Sequence, residues 1–318
     1  LTRRRLAAAL VALPCVAHAQ PRIARIGVLA PSQPPPDALQ AFRDDLRQRG
    51  YIEGQNCRIE VRWPEGGARI ADVAGEMVRS GVDVIVAWAT PPSLAAKQAT
   101  STVPIVMVSI VDPIKLGLVT NFSRPEGNVT GLSNLGEDIS AKMVQLLVET
   151  LPNARQIGML HNPDNPATLV QMQSMQAAVR AFRLTTHVDK AKSASEYAEA
   201  LTKFAQAHLD AVIFVPDPSA LEHRMSIAEK SRALRLPTMF QRRENVEAGG
   251  LMSYGADLAD QFRQAGAFVD RLLKGAKPSD LPVMQATRFN LVINGRTARM
   301  LGVDIPAKVA AAADEIID

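Results

Sequence analysis

Eight residues carry most of the chemistry on offer: Ser32, Thr90, Pro91, Asp112, Thr130, Asn162, Asp217 and Tyr254. Each stands where an apolar run stops at a turn, or where the chain is expected to cross between two lobes. Ligands of open α/β sheets sit outside the carboxyl ends of the strands, and that rule selects these positions without any motif. Hydroxyls and free N–H groups at a helix N-terminus suit a carboxylate or another anion. The Asp217 carboxylate suits an ammonium group. Tyr254 can pack a flat ligand while its hydroxyl finds a polar partner. Together these groups describe a small zwitterion. Each also has a structural use. Asp112 and Asp217 sit beside prolines in turns, where Asp bonds its own backbone. Thr90 and Ser93 suit a helix cap. Tyr254 suits hinge packing, and His161 reads as a structural residue at a strand end.

The elements that must position these residues come in two similar halves. Val82-Asp83-Val84-Ile85-Val86-Ala87-Trp88 is an apolar run that suits a parallel strand covered on both faces. Thr90 and the Pro91-Pro92 pair end it, and a helix follows. The phrase returns as Leu209-Asp210-Ala211-Val212-Ile213-Phe214-Val215, ended by Pro216-Asp217-Pro218-Ser219. Each copy leads through a helix to a short Pro-led strand, at 103–107 and 236–240. In the first half, strands over 22–30 and 56–63 and helices over 37–49 and 70–80 precede the central strand. In the second, helices over 137–150, 167–182 and 194–207 alternate with strands over 156–161 and 184–188. A helix over about 219–234 follows the second central strand. A long amphipathic helix over 258–274, a final strand over 282–293 and a helix near 294–301 close the core.

Strand–helix alternation predicts an α/β fold of two doubly wound parallel-sheet lobes. The expected N-terminal lobe is 22–128 plus 256–284, and the C-terminal lobe is 129–255 plus 285–318. Segments near 129–133, 253–256 and 284–290 would form a three-strand hinge. The 318 residues are enough for two proper cores, and 47% hydrophobic with 21% charged residues is ordinary globular composition.

Residues 1–19 read as a signal peptide. Arg3-Arg4-Arg5 is a basic start, residues 6–16 are apolar, and Ala17-His18-Ala19 is a small-residue cleavage site. Cys15 follows Pro14 rather than a small residue, so a soluble secreted protein is expected and not a lipid anchor. Loss of the three arginines takes the formal charge from +4 to about +1, so nucleic acid is not an expected partner. Cys57 would then be the last cysteine, with no intrachain disulfide. The five histidines show no metal-ligand spacing, and no cofactor or metal is expected. There is no Gly-x-Ser-x-Gly elbow, no Walker loop and no His-Glu-x-x-His. Ala30-Pro31-Ser32-Gln33 stands where a dinucleotide-binding glycine loop would follow the first strand. A binding protein is favoured over an enzyme.

Several phrases, in this order and spacing, resemble one family. They are Ile26-Gly27-Val28-Leu29, Gly50-Tyr51-Ile52-Glu53-Gly54-Gln55-Asn56, Thr90-Pro91-Pro92-Ser93-Leu94-Ala95-Ala96-Lys97 and Val111-Asp112-Pro113. Gly117-Leu118-Val119, Arg124-Pro125-Glu126-Gly127-Asn128-Val129-Thr130-Gly131, Leu281-Pro282-Val283 and Ala313-Asp314-Glu315-Ile316-Ile317 continue the series. The sequence resembles the substrate-binding proteins of ABC importers in the tryptophan/tyrosine transport group. Glu126 replaces a more usual glycine, and Cys57 is a second departure. The resemblance implies a type I periplasmic-binding-protein fold with three crossovers. It implies a periplasmic monomer that takes a small molecule, an amino acid or related carboxylated solute, to ABC permease subunits. A ligand sensor for a membrane receptor and an extracytoplasmic enzyme on the same fold are the alternatives.

Overall fold

The computed structural model describes residues 23–65, 68–134 and 136–318. The expected signal peptide lies outside the described residues. Among them no helix is long and apolar enough to cross a membrane.

The first lobe alternates β1 (Ala24–Leu29), α1 (Pro36–Gln48), β2 (Cys57–Arg62), α2 (Ile70–Arg79), β3 (Val84–Trp88), α3 (Thr90–Ala99), β4 (Ile105–Val111) and β5 (Val129–Asn134). The second runs through α4 (Gly136–Thr150), β6 (Gln156–His161), α5 (Pro166–Ala181), β7 (Thr185–Lys190), α6 (Ala194–Gln206) and β8 (Ala211–Phe214). It continues with α7 (Pro218–Glu222), α8 (Arg224–Ala233), β9 (Thr238–Phe240), α9 (Arg243–Glu247) and β10 (Met252–Ala256). Then come α10 (Leu258–Leu273), β11 (Met284–Gln285), β12 (Phe289–Asn294), α11 (Gly295–Leu301), α12 (Ala307–Ala312) and β13 (Glu315–Ile317).

Two sheets result. The first has six strands in the order β11-β5-β4-β3-β1-β2, all pairs parallel. Every residue of β3 is buried, as an apolar run covered on both faces requires. The second has seven strands in the order β13-β12-β10-β9-β8-β6-β7. It is parallel except where β12 runs antiparallel to β10. The path of the chain explains the exception. β10 leaves the second lobe toward the first, and β12 returns beside it.

The chain passes between the sheets three times: between β5 and α4, between β10 and α10, and between β11 and β12. Strand β5, expected to open the second lobe, pairs with β4 and belongs to the first sheet. The crossing comes at its end. The single strand expected over 282–293 is two strands, one in each sheet.

Helix α10 completes the first lobe. Phe262 meets Phe42 and Trp88 edge-on, both with ring centroids 6.3 Å apart. Gly266 lets α10 lie close on α1, because a Cβ there would stand 2.2 Å from an Asp45 carboxylate oxygen.

Gly131, at φ 131°, lies where the β4–β5 register shifts between Met107 and Ile110. A Cβ at that site would lie 2.2 Å from the Met107 carbonyl oxygen. Gly131→Ala therefore meets both backbone strain and a clash with fixed main chain. It is expected to cost roughly 3 kcal/mol, seen as a lower urea midpoint with an unchanged slope. A change below about 0.5 kcal/mol, the size of an ordinary surface substitution, would contradict this packing.

Candidate functional site

The carboxyl ends of both sheets face one another across the seam between the lobes. Trp88, Ala89, Thr90, Ser109, Val111 and Asn134 line a recess from the first lobe. Asn165, Gln171, Phe214, Asp217, Phe240 and Arg242 are among the residues that close it from the second. The recess measures about 50 Å3. Leu221, Gln241 and Arg242 also border a wider chamber of about 950 Å3 that extends to Ser32 and Trp63. The chamber is on the scale of small-molecule sites, and the recess adds the convergent polar groups.

The wall from the first lobe is built under backbone strain. Ala89 has φ 71° and Asp112 φ 46°, just past the ends of β3 and β4, and Ser109 has φ 62° within β4, near its end. Left-handed conformations of this kind cost about 1–3 kcal/mol each and collect at functional sites. The turn at Ala89 starts α3 directly and brings Thr90 to the seam. The helix terminus is not a full set of N–H donors, because Pro91 and Pro92 have none. Ser93 turns inward, its N–H and hydroxyl both donating to the Ala89 carbonyl, at 3.2 and 2.9 Å. Thr90 is left to offer its own N–H and hydroxyl. Trp88 is 2% exposed, and its Nε1–H has no partner among the described residues.

The opposite wall is organised by Asp217, the N-cap of α7. Its Oδ1 accepts from Asn162 Nδ2 at 3.0 Å, from the Ser219 N–H at 2.9 Å and from the Ser219 hydroxyl. Its Oδ2 accepts from Asn165 Nδ2 at 2.7 Å and has room for one further donor. Tyr197 bonds Ser219 Oγ at 2.7 Å from behind. Burial pushes the Tyr197 pKa up, against the opposing effect of the Ser219 bond.

Arg242 joins the walls. Its Nη2 donates to Ser109 Oγ at 2.7 Å, and its Nη1 to the Ala256 carbonyl at 3.4 Å. Ser109 Oγ also accepts from Asn134 Nδ2 at 3.1 Å, and Gln261 Nε2 holds Asn134 Oδ1 at 2.5 Å. Burial lowers the Arg242 pKa, opposed by Glu244 and Asp257, and the guanidinium stays charged.

The eight expected residues fall into distinct places. Thr90 and Asp217 line the recess. Asn162 stands behind, orienting Asp217. Ser32 borders the outer chamber, and Pro91 is in the first turn of α3, off the lining. Asp112 lines a third recess of about 280 Å3 and pairs with Lys115 at 2.9 Å. Thr130 is wholly buried, its hydroxyl donating to the Leu281 carbonyl at 2.6 Å, which takes it out of the seam. Tyr254 is also a correction. The pleat of β10 sends Ser253 and Gly255 to the chamber, and Tyr254 stacks on Phe289 with centroids 6.0 Å apart. Arg242, Ser109 and Trp88 were not among the eight. The strand-end rule reaches all three once it is applied to every strand, including the three-residue β9.

No group of three or more His, Cys, Asp or Glu that could hold a metal occurs among the described residues. Such an arrangement can bind and orient a small charged molecule.

Residues 31–317 match the family model described as ABC transporter substrate binding protein. The chain belongs to that family. Its members are solute-binding proteins, and this binding protein is accordingly not an enzyme. It is 27% identical over 267 residues to a tyrosine-binding protein of Clostridioides difficile, a match spanning 83% of this chain and 76% of that one. A Streptococcus pneumonia structure solved with L-Trp is 29% identical, with TM-score 0.86, covering 93% of this chain and all of that one. A conserved domain protein of Vibrio cholerae is 28% identical, with TM-score 0.85 and the same coverage. These similarities bear out the two-lobed type I fold and the tryptophan/tyrosine group expected from the sequence.

Asp217→Ala would leave two amides, a hydroxyl and a backbone N–H without their acceptor. It is expected to cost about 2–3 kcal/mol of stability in ligand-free protein, measured by urea denaturation. A loss below about 0.5 kcal/mol would show that the Asp217 network does not hold this wall together.

Proposed function

We propose that this protein captures an aromatic L-amino acid between its lobes outside the cytoplasm and delivers it to an ABC permease. The observation that carries the reading is the pairing of unlike walls across one recess. Thr90 offers donors to a carboxylate on one side, and Asp217 offers an acceptor to an ammonium group on the other. Trp88, Phe214 and Phe240 line the same recess and suit a ring. The names of two relatives, a tyrosine-binding protein and a structure holding L-Trp, point the same way.

The three crossings would act as the hinge between two bodies, 23–134 with 258–285 and 136–256 with 289–318. A ligand that touches both walls favours the closed arrangement by its differential affinity for it. Closure would then present a surface to the permease. The basic, apolar and small-residue order of residues 1–19 supports secretion to the periplasm.

Thermal denaturation with L-tryptophan and L-tyrosine tests the reading. A ligand at a thousand-fold excess over its Kd should stabilise the protein by roughly 4 kcal/mol. At least one of the two is expected to raise Tm, and L-lysine or D-glucose is expected not to. No shift with any amino acid at millimolar concentration would contradict the proposal.

A further inference from the structure

We propose that Arg242 is the charge anchor of the cleft. It takes the ligand's carboxylate, so the protein recognises aromatic carboxylates as a class and the ammonium group is secondary. This rests on the reading of the seam as the ligand site.

The argument is one of charge accounting. Arg242 lies two residues beyond the end of β9; it reaches across the seam to Ser109 Oγ and bonds the Ala256 carbonyl of its own lobe, both neutral acceptors. A guanidinium has five N–H donors, and these contacts use two. Among the described residues no carboxylate lies within ion-pair distance of it. Glu244 and Asp257 act on it only through space. Asp257 is engaged elsewhere, accepting from the Asp260 N–H at 2.9 Å and pairing with Arg288 at 3.5 Å.

The next residue makes the contrast. Arg243, more exposed, holds Glu315 through two bonds of 2.9 and 2.8 Å. The exposed arginine has a carboxylate partner, and the half-buried one facing the recess has neutral partners. A half-buried guanidinium with spare donors and no carboxylate partner is where an incoming carboxylate gains most, through charge-assisted hydrogen bonds. Asp217 is in the reverse position. Four neutral donors already surround it, and an ammonium group adds only one more. The cation of the recess lacks a counter-ion, and the anion is largely satisfied.

Titration calorimetry on matched ligand series tests this. The tryptophan series is L-tryptophan, its deaminated acid indole-3-propionate and its decarboxylated amine tryptamine. The tyrosine series is L-tyrosine, 3-(4-hydroxyphenyl)propionate and tyramine. In the series that binds, the amino acid and the acid are both expected to bind, within about 30-fold of each other, which is the scale of a charge-assisted hydrogen bond. The amine is expected to bind at least about 100-fold more weakly than the amino acid, as the loss of a buried charge pair implies. Arg242→Gln should weaken both carboxylates by at least about 30-fold, and Arg242→Lys should restore part of that loss. The comparison of acid with amine needs no variant, so it holds even if Arg242→Gln fails to fold. An amine that binds within threefold of its amino acid overturns the anchor. So does a folded Arg242→Gln that keeps carboxylate affinity within threefold. In both cases the amino acid still binds and the proposed function stands. If no carboxylate binds the wild-type protein, anchor and function fall together.

Discussion

The first lobe cannot close its core without a helix delivered from the far end of the chain. Strand β3 is buried along its whole length, and Trp88 at its end needs cover on the α1 side. Phe262 of α10 supplies it, wedged edge-on against both Phe42 and Trp88. The chain therefore has to leave the second lobe, lay α10 on the first, and return. Two of the three crossings follow from that one requirement. So does the antiparallel β10–β12 pair, the trace of an outgoing and a returning strand. The close approach of α10 to α1 at Gly266 and Asp45 fixes how deeply the helix sits.

The same helix reaches the seam between the lobes. Gln261 holds Asn134, Asn134 holds Ser109, and Ser109 accepts from Arg242 across the gap. The relay ties the core of one lobe to a charged residue of the other. On the facing wall, Asn162, Asn165 and Ser219 fix Asp217, with Tyr197 behind Ser219. Both polar centres are thus held by neutral hydrogen-bonding groups at strand ends and on helices. Such groups are fixed before a ligand arrives, which lowers the cost of binding it.

Much of this was legible in the sequence because long elements advertise themselves. The paired central strands, their Pro-rich ends and the amphipathic α10 all follow from hydrophobic patterning. Family phrases spread along the chain fixed the two-lobed plan. The misses have physical causes. The β5 segment reads as a crossing because its glycine interrupts it, and only pairing with β4 assigns it to the first sheet. The helix over 219–234 divides at His223 into α7 and α8, a break that no proline or glycine marks. Helix α9 has five residues and β13 three, too short for any period to show. At the cleft, Thr90 and Asp217 were reachable from strand ends, but Tyr254 needed the phase of the β10 pleat. Arg242 needed knowledge that Arg243, beside it, is paired with Glu315 and Arg242 is not.

The account as a whole claims that one molecule bridges the two walls of the seam. A crystal structure of the protein grown with whichever of L-tryptophan and L-tyrosine binds is the most direct test. The account predicts the amino acid in the seam with its charged groups at the recess, its carboxylate on Thr90 and Arg242 and its ammonium toward Asp217. Electron density for the ligand outside the seam, or touching only one lobe, would contradict it.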